Sequence, residues 1–252
     1  MYTLKKSLGQ HFLHDENVCR RIIAVLQEGS FKNLLEVGPG GGALTKYLLQ
    51  IPGIRFKAVE LDTEKVDYLL QTYPAIAGSL LQADFLQLPK PFDTPFTVIG
   101  NFPYNISSQI LFKMVEWKGD MECMIGMFQK EVAQRAAAPA GNKTYGILSI
   151  LIQAFFDVEY LFDVQENSFH PPPNVKSAVI RLKPRAAVPL MKSEPAFFGL
   201  VKTAFNQRRK MLRNSVKSLF GPEILQDEIF NKRPEQLTIP EFAALTFKTN
   251  HP

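Results

Sequence analysis

Along the first two thirds of the chain, short apolar runs alternate with stretches whose apolar residues recur every three to four positions. Val18, Ile22, Val25 and Leu26 share one face and predict a helix over 17–27. Leu34-Leu35-Glu36-Val37 then reads as a short buried strand, and it runs into Gly38-Pro39-Gly40-Gly41-Gly42 before a helix over 44–49. The pattern repeats: a strand over 56–60 and a helix over 63–71, a third strand over 80–84, and a fourth over 96–99. A helix over 107–117 follows with Ser107 as its cap, then a fifth strand over 123–128 and helices over 129–137 and 146–155. Runs at 157–163 and 177–182 predict strands flanking His170-Pro171-Pro172-Pro173. Strands alternating with helices imply an α/β, mostly parallel, doubly wound sheet, and the last two strands suit an antiparallel edge hairpin. From Pro195 onward the spacing is helical, through Phe197, Val201, Ala204 and Phe205 to Met211, Leu212, Val216 and Phe220. The expected division is a larger domain over 1–186 and a small all-α domain over 187–252, with 183–193 as linker.

Composition adds bounds. A chain of 252 residues, 46% hydrophobic and 21% charged, is long enough for a real core and has ordinary globular character. Its net charge of +5 mildly favours a polyanionic partner. Cys19 and Cys123 have no CxxC partner, and His11, His14, His170 and His251 show no ligand spacing, so neither a disulfide framework nor a metal is expected. The most apolar window, 145–156, is interrupted by Ser149 and Gln153 and is too short to span a bilayer. The start, Met1 to Lys6, leads into polar sequence rather than an apolar signal core. A cytoplasmic protein without membrane association is expected.

The candidate chemistry lies at strand ends. A glycine loop between a strand and a helix allows close approach of a ligand to backbone N–H groups. Glu60 ends the second strand about 20 residues on, where an acid bonds ribose hydroxyls. The pair indicates a nucleoside-containing cofactor, either a dinucleotide or S-adenosylmethionine, without choosing. Asp84 ends the third strand beside Phe85 and suits the exocyclic amine of a cofactor adenine, and a solvated strand-end acid is the alternative. Asn101-Phe102-Pro103-Tyr104 ends the fourth. Its Asn oxygen, a backbone carbonyl and a flat ring match the two N–H donors and ring face of an adenine, although Asn-x-Pro is also an ordinary turn signal.

These segments together resemble a known family. Glu36-Val37-Gly38-Pro39-Gly40-Gly41-Gly42-Ala43-Leu44-Thr45, Glu60, Gln82-Ala83-Asp84-Phe85 and Asn101-Phe102-Pro103-Tyr104 are similar to the motifs of S-adenosylmethionine-dependent rRNA adenine N6,N6-dimethyltransferases. So are Lys5-Lys6-Ser7-Leu8-Gly9-Gln10-His11-Phe12-Leu13, the stretch from Ser168 to Ser177, and Phe205-Asn206-Gln207-Arg208-Arg209-Lys210-Met211-Leu212-Arg213-Asn214. The resemblance runs from about residue 5 to 220 and is strongest to the enzymes of the small subunit. It implies a Rossmann-like class I methyltransferase fold and cofactor contacts at His11, Leu13, Gly38, Gly40, Glu60, Asp84 and Asn101. His11 stands where the family commonly has Asn, and Phe102 where Leu is commoner.

The activity implied is dimethylation of the N6 amines of two adjacent adenosines in the 3′-terminal hairpin loop of 16S rRNA, on a 30S precursor, by a monomer. Asn101 and the Pro103 carbonyl are expected to accept the amine hydrogens, Tyr104 to stack on the flipped base, and Phe169 to stack on its other face. Arg208, Arg209, Lys210, Arg213 and Lys217 are expected on one helix, with Arg209, Arg213 and Lys217 forming a stripe that Lys5 and Lys6 extend, for phosphate contacts. Three alternatives are a large-subunit rRNA dimethylase of the antibiotic-resistance type, a non-catalytic assembly factor, and a dehydrogenase. The segment from Gln207 to Asn214 argues against the first, the intact strand-end motifs against the second, and the lack of a hydride-transfer site against the third.

Overall fold

The computed structural model describes residues 11–250, so Lys5, Lys6, the motif up to Gln10, and His251 lie outside the described residues. The chain runs through β1 (Phe12–Leu13), α1 (Glu16–Gln27), β2 (Asn33–Val37), α2 (Thr45–Leu48), β3 (Arg55–Glu60), α3 (Thr63–Thr72), β4 (Leu80–Gln82), β5 (Phe96–Asn101) and α4 (Ser107–Glu116). It continues through β6 (Met121–Gln129), α5 (Lys130–Ala137), α6 (Ile147–Gln153), β7 (Phe156–Val164), β8 (Phe169–His170), β9 (Ser177–Pro184), α7 (Glu194–Phe205), α8 (Leu212–Ser215) and α9 (Ile239–Leu245). Seven strands form one sheet in the order β4-β3-β2-β5-β6-β9-β7. The pairs β4/β3, β3/β2, β2/β5 and β5/β6 are parallel, and β9 is antiparallel to β6.

Both sheet faces are covered, which is why β2 carries a nearly continuous apolar run and is buried throughout. Leu34, Ile99, Ile125 and Val179 pack on one face with Cys19, Ile22 and Leu26 of α1 and Leu48 of α2. On the other face, Phe96 meets Trp117 edge-on at 5.5 Å, just past α4. Asp15 caps α1 by accepting from the N–H groups of Asn17 and Val18, and its second oxygen accepts from the Ser168 hydroxyl at 2.9 Å. That bond helps to hold the small β1/β8 ladder, in which Leu13 lies opposite Phe169.

Three local expectations are corrected. Ser107 is not the cap of α4 but its first residue, and its hydroxyl turns back to donate to the Tyr104 carbonyl at 3.0 Å. The third strand stops at Gln82. Asp84 has left the sheet and caps the single turn over 85–87 by accepting from the Leu86 N–H at 2.9 Å.

The cationic stretch is not one helix. The helix α7 ends at Phe205, a turn occupies 206–210, Met211 is extended at ψ 147°, and α8 is a separate turn. The spacing that suggested a stripe also opposes a continuous helix, since Arg209, Arg213 and Lys217 are like charges four residues apart. A backbone bond from Leu212 N–H to the Lys232 carbonyl, at 2.8 Å, fixes the new start instead.

The chain folds as two compact units. One comprises the residues up to Ala133 and Val158–Pro184, and the other joins Gln134–Asp157 to the residues from Arg185 onward. In the second, Gln153 donates to the Ala136 and Ala138 carbonyls, and the Gly141 N–H donates to the Glu235 carbonyl at 2.7 Å. Thr238 and Glu241 form a capping box on α9. Among the described residues, no helix is long and apolar enough to cross a membrane.

Candidate active site

Because β4, β3, β2 and β5 run parallel, their C-terminal ends share one edge. The strand order reverses direction around β2, which makes this edge a switch point where open α/β sheets bind ligands. A cavity of about 470 Å³ opens there. Its lining includes Leu13, Gly38, Gly40, Glu60, Asp84, Asn101, Pro103 and Tyr104, so the expected strand-end residues are brought together.

The glycine loop is shaped by its own geometry. Gly38, Gly40 and Gly42 all have positive φ. At Gly42, with φ 81°, a Cβ would also come within 2.9 Å of the Tyr73 hydroxyl oxygen, so no side chain fits. The Gly40 N–H donates to Glu60 Oε2 at 3.2 Å, while Oε1 accepts from the N–H groups of Leu61 and Asp62 at 3.0 Å. A carboxylate has about four acceptor positions, so Glu60 keeps capacity for a hydroxyl donor. Asp84 is exposed at the cavity rim.

Glu36 is an addition that the strand-end reading passed over. It lines the cavity at 2% exposure on the face covered by α1 and α2. Burial, with Glu60 nearby, pushes its carboxyl up to about 8, against the opposing hydrogen bond from Thr45 Oγ1 at 2.7 Å. The signal was an acid inside the otherwise apolar run Leu34–Val37.

The strand β1 organises the other half of the cavity. The Asn101 amide nitrogen donates to the His11 carbonyl at 3.2 Å, which leaves the amide oxygen as the acceptor. The His11 ring is occupied elsewhere: Nδ1 bonds to the Pro171 carbonyl at 2.8 Å, and the ring stacks on Tyr104 with centroids 5.5 Å apart and planes 28° from parallel. The Tyr104 hydroxyl is hydrogen-bonded to Ser177. Burial pushes its phenol pKa up, outweighing the Ser177 bond. Phe102 turns away, buried against Phe128 with ring centroids 4.9 Å apart.

Phe169 is placed differently from expectation. At 2% exposure it belongs to the core beside Leu13 and Val164, and it does not line the cavity. In the ladder with β1, its side chain serves packing. The five cations of the second unit also divide. Arg208 donates to the Lys143 carbonyl at 2.6 Å and Arg213 to the Asn231 side chain, so both are engaged within their unit. Arg209, Lys210 and Lys217 are exposed. Among the described residues, no group of three His, Cys, Asp or Glu side chains is arranged to hold a metal.

A sequence model of the family described as Ribosomal RNA adenine dimethylase matches residues 1–241. The chain belongs to this family. Among similar sequences, "Ribosomal RNA small subunit methyltransferase A" of Flavobacterium johnsoniae is 49% identical over 97% of this chain and 95% of the relative. The protein of the same description from Parabacteroides distasonis is 52% identical over 96% of this chain and 92% of its own length. Among solved structures, a dimethyladenosine transferase from Plasmodium falciparum superposes with a TM-score of 0.82 at 24% identity, covering 96% of this chain and all of the other. The 23S rRNA methyltransferase ErmE superposes at 0.71 with 22% identity, covering 95% and 100%. Both structural likenesses establish the Rossmann-like methyltransferase fold. As a member of the rRNA adenine dimethylase family the chain is an enzyme, and its strand-end cavity has glycines with positive φ and a carboxylate, Glu60, with acceptor capacity to spare.

Proposed function

We propose that this protein dimethylates the N6 amines of two adjacent adenosines in the 3′-terminal hairpin loop of 16S rRNA, using S-adenosylmethionine. The observation that carries the reading is the Asn101 amide, whose nitrogen is held by the His11 carbonyl so that its oxygen is presented beside Tyr104 and Pro103. His11, Leu13, Gly38, Gly40, Glu60, Asp84 and Asn101 would hold the cofactor. When bound, S-adenosylmethionine supplies a methyl group on a sulfonium.

The residues of the chain do the rest by alignment. An exocyclic amine is a poor nucleophile because its lone pair is delocalised into the ring. Asn101 Oδ1 and the Pro103 carbonyl accept its hydrogens and turn the lone pair toward the methyl, converting a bimolecular encounter into an oriented one. Fixed dipoles would assist as positive charge passes to nitrogen while the sulfur departs as a neutral thioether, and the N–H proton given up at each transfer would pass to solvent. Tyr104, which lines the cavity, offers the ring face away from His11 to the unpaired base. No side-chain nucleophile is required. The exposed Arg209, Lys210 and Lys217 contact RNA phosphates on the second unit. The enzyme acts as a cytoplasmic monomer on a 30S precursor, with catalysis in the unit formed by the residues up to Ala133 and Val158–Pro184, to which the expected 1–186 domain is reduced by the loss of 134–157 to the helical unit.

The test is incubation with labelled S-adenosylmethionine and under-methylated 30S or 50S particles, followed by mapping of dimethyladenosine. Label on two adjacent adenosines near the 3′ end of 16S rRNA is expected. Label on 50S particles alone overturns the proposal.

A further inference from the structure

Tyr104 is constrained at two points that belong to different parts of the sheet unit. At its tip, the phenol is hydrogen-bonded to Ser177. Ser177 is fully buried and is the first residue of β9, opposite Gln129 of β6. Its hydroxyl is therefore fixed to the backbone of the central sheet. On one ring face lies His11, itself tied to the Pro171 carbonyl. A tyrosine side chain has two rotatable torsions before its hydroxyl. A bond at the tip and a ring on one face leave neither free, and only the opposite face remains to receive a base. Burial raises the phenol pKa above its ordinary value, which favours the protonated hydroxyl.

We propose that Ser177 is a positioning residue for methyl transfer: through the Tyr104 hydroxyl it fixes the plane on which adenine rests, and so determines how efficiently the enzyme proceeds from one methyl to two. The inference rests on the reading of Tyr104 as the base platform. The two transfers make different demands on that platform. In the first, the amine brings two hydrogens to Asn101 Oδ1 and the Pro103 carbonyl. In the second it brings one hydrogen and a methyl group, so the same ring must present a bulkier amine with fewer bonds to hold it. Small displacements of aligned reactants cost large factors in rate. The second transfer is therefore the more sensitive to a loosened ring.

The experiment compares wild type, Ser177→Ala, Tyr104→Phe and the double variant on under-methylated 30S particles. It reads the rates of both transfers, the ratio of monomethyl- to dimethyladenosine, the cofactor dissociation constant by calorimetry, and the unfolding midpoint. Each single variant removes the same neutral hydrogen bond. Each is expected to lower kcat by about 5- to 10-fold, with cofactor affinity unchanged and monomethyladenosine accumulating. The double variant is expected to be no slower than Tyr104→Phe alone. A Ser177→Ala effect as large in the Tyr104→Phe background as in wild type overturns the proposal, as does a shifted midpoint with an unchanged product ratio. Should Ser177→Ala not fold, Tyr104→Phe decides alone, because wild-type rates and product ratio there also overturn it. Failure of the wild-type protein to dimethylate 30S particles would instead overturn the underlying function.

Discussion

Replacement of Glu36 by Gln isolates a buried acid whose proton is held by the fold. Glu36 is 2% exposed, and burial is the largest influence on its carboxyl, raised from an ordinary 4.5 to about 8, with Glu60 acting in the same direction. An unfolded chain releases this proton near 4.5, whereas the folded chain holds it until about 8. Between those values the folded state binds more protons, so stability is fully present below about 4.5 and falls as pH rises. At about 1.36 kcal/mol per pH unit, the gap amounts to a loss of about 5 kcal/mol once the pH has passed the folded value. Gln keeps an acceptor for Thr45 Oγ1 and carries no charge at any pH, so this slope disappears in the variant. The assay is urea unfolding of both proteins from about pH 5 to about pH 9. Ionisations common to the two cancel in the difference. Glu36→Gln is expected to gain on wild type steadily up to the folded value and to be the more stable protein above it. Parallel pH dependences for the two proteins would refute the argument.

Three further outcomes are expected. Asn101→Ala lowers methyl transfer by at least about 100-fold while rRNA affinity is retained, measured by label incorporation and filter binding; full activity sinks the assignment of Asn101. Charge reversal at exposed Arg209 and Lys217 lowers the slope of log K against log salt by about one per residue, whereas reversal at Arg213, engaged with Asn231, lowers the unfolding midpoint; unchanged slopes at the exposed positions remove the phosphate contacts. Phe102→Ala empties a site that is 1% exposed and loses the contact with Phe128, a destabilisation of about 3–5 kcal/mol read by urea unfolding, and a loss below about 1 kcal/mol contradicts its core role.

The elements that read directly from sequence are those in which local pattern and tertiary environment agree. The strand β2 is buried on both faces, so its apolar run is unambiguous, and α1 buries Val18, Ile22 and Leu26 as its spacing requires. The strand-end residues converge because parallel pairing puts the C-terminal ends on one edge, a consequence of alternation alone. The failures have the opposite character. At 206–217 a regular spacing of cations reads as a helix only if their mutual repulsion and the bond from Leu212 to Lys232 are ignored. The strands β1 and β8 are two residues each and lie far apart in sequence, so no local signal marks their pairing. That pairing carries Phe169 into the core and His11 against Tyr104, and neither placement follows from residue type.

His11 shows why an unusual residue need not disturb a site. The sequence resemblance leads to Asn being expected where His11 stands, and a side-chain contact would make that difference consequential. Here the contact that orients Asn101 comes from the His11 carbonyl, which every residue possesses. The exchange therefore leaves the acceptor geometry at Asn101 intact. What the imidazole adds is separate: a flat ring against one face of Tyr104, anchored through Nδ1 to the Pro171 carbonyl. The backbone and the side chain of His11 thus serve different groups of the same cavity. The orienting bond at Asn101 does not depend on that side chain.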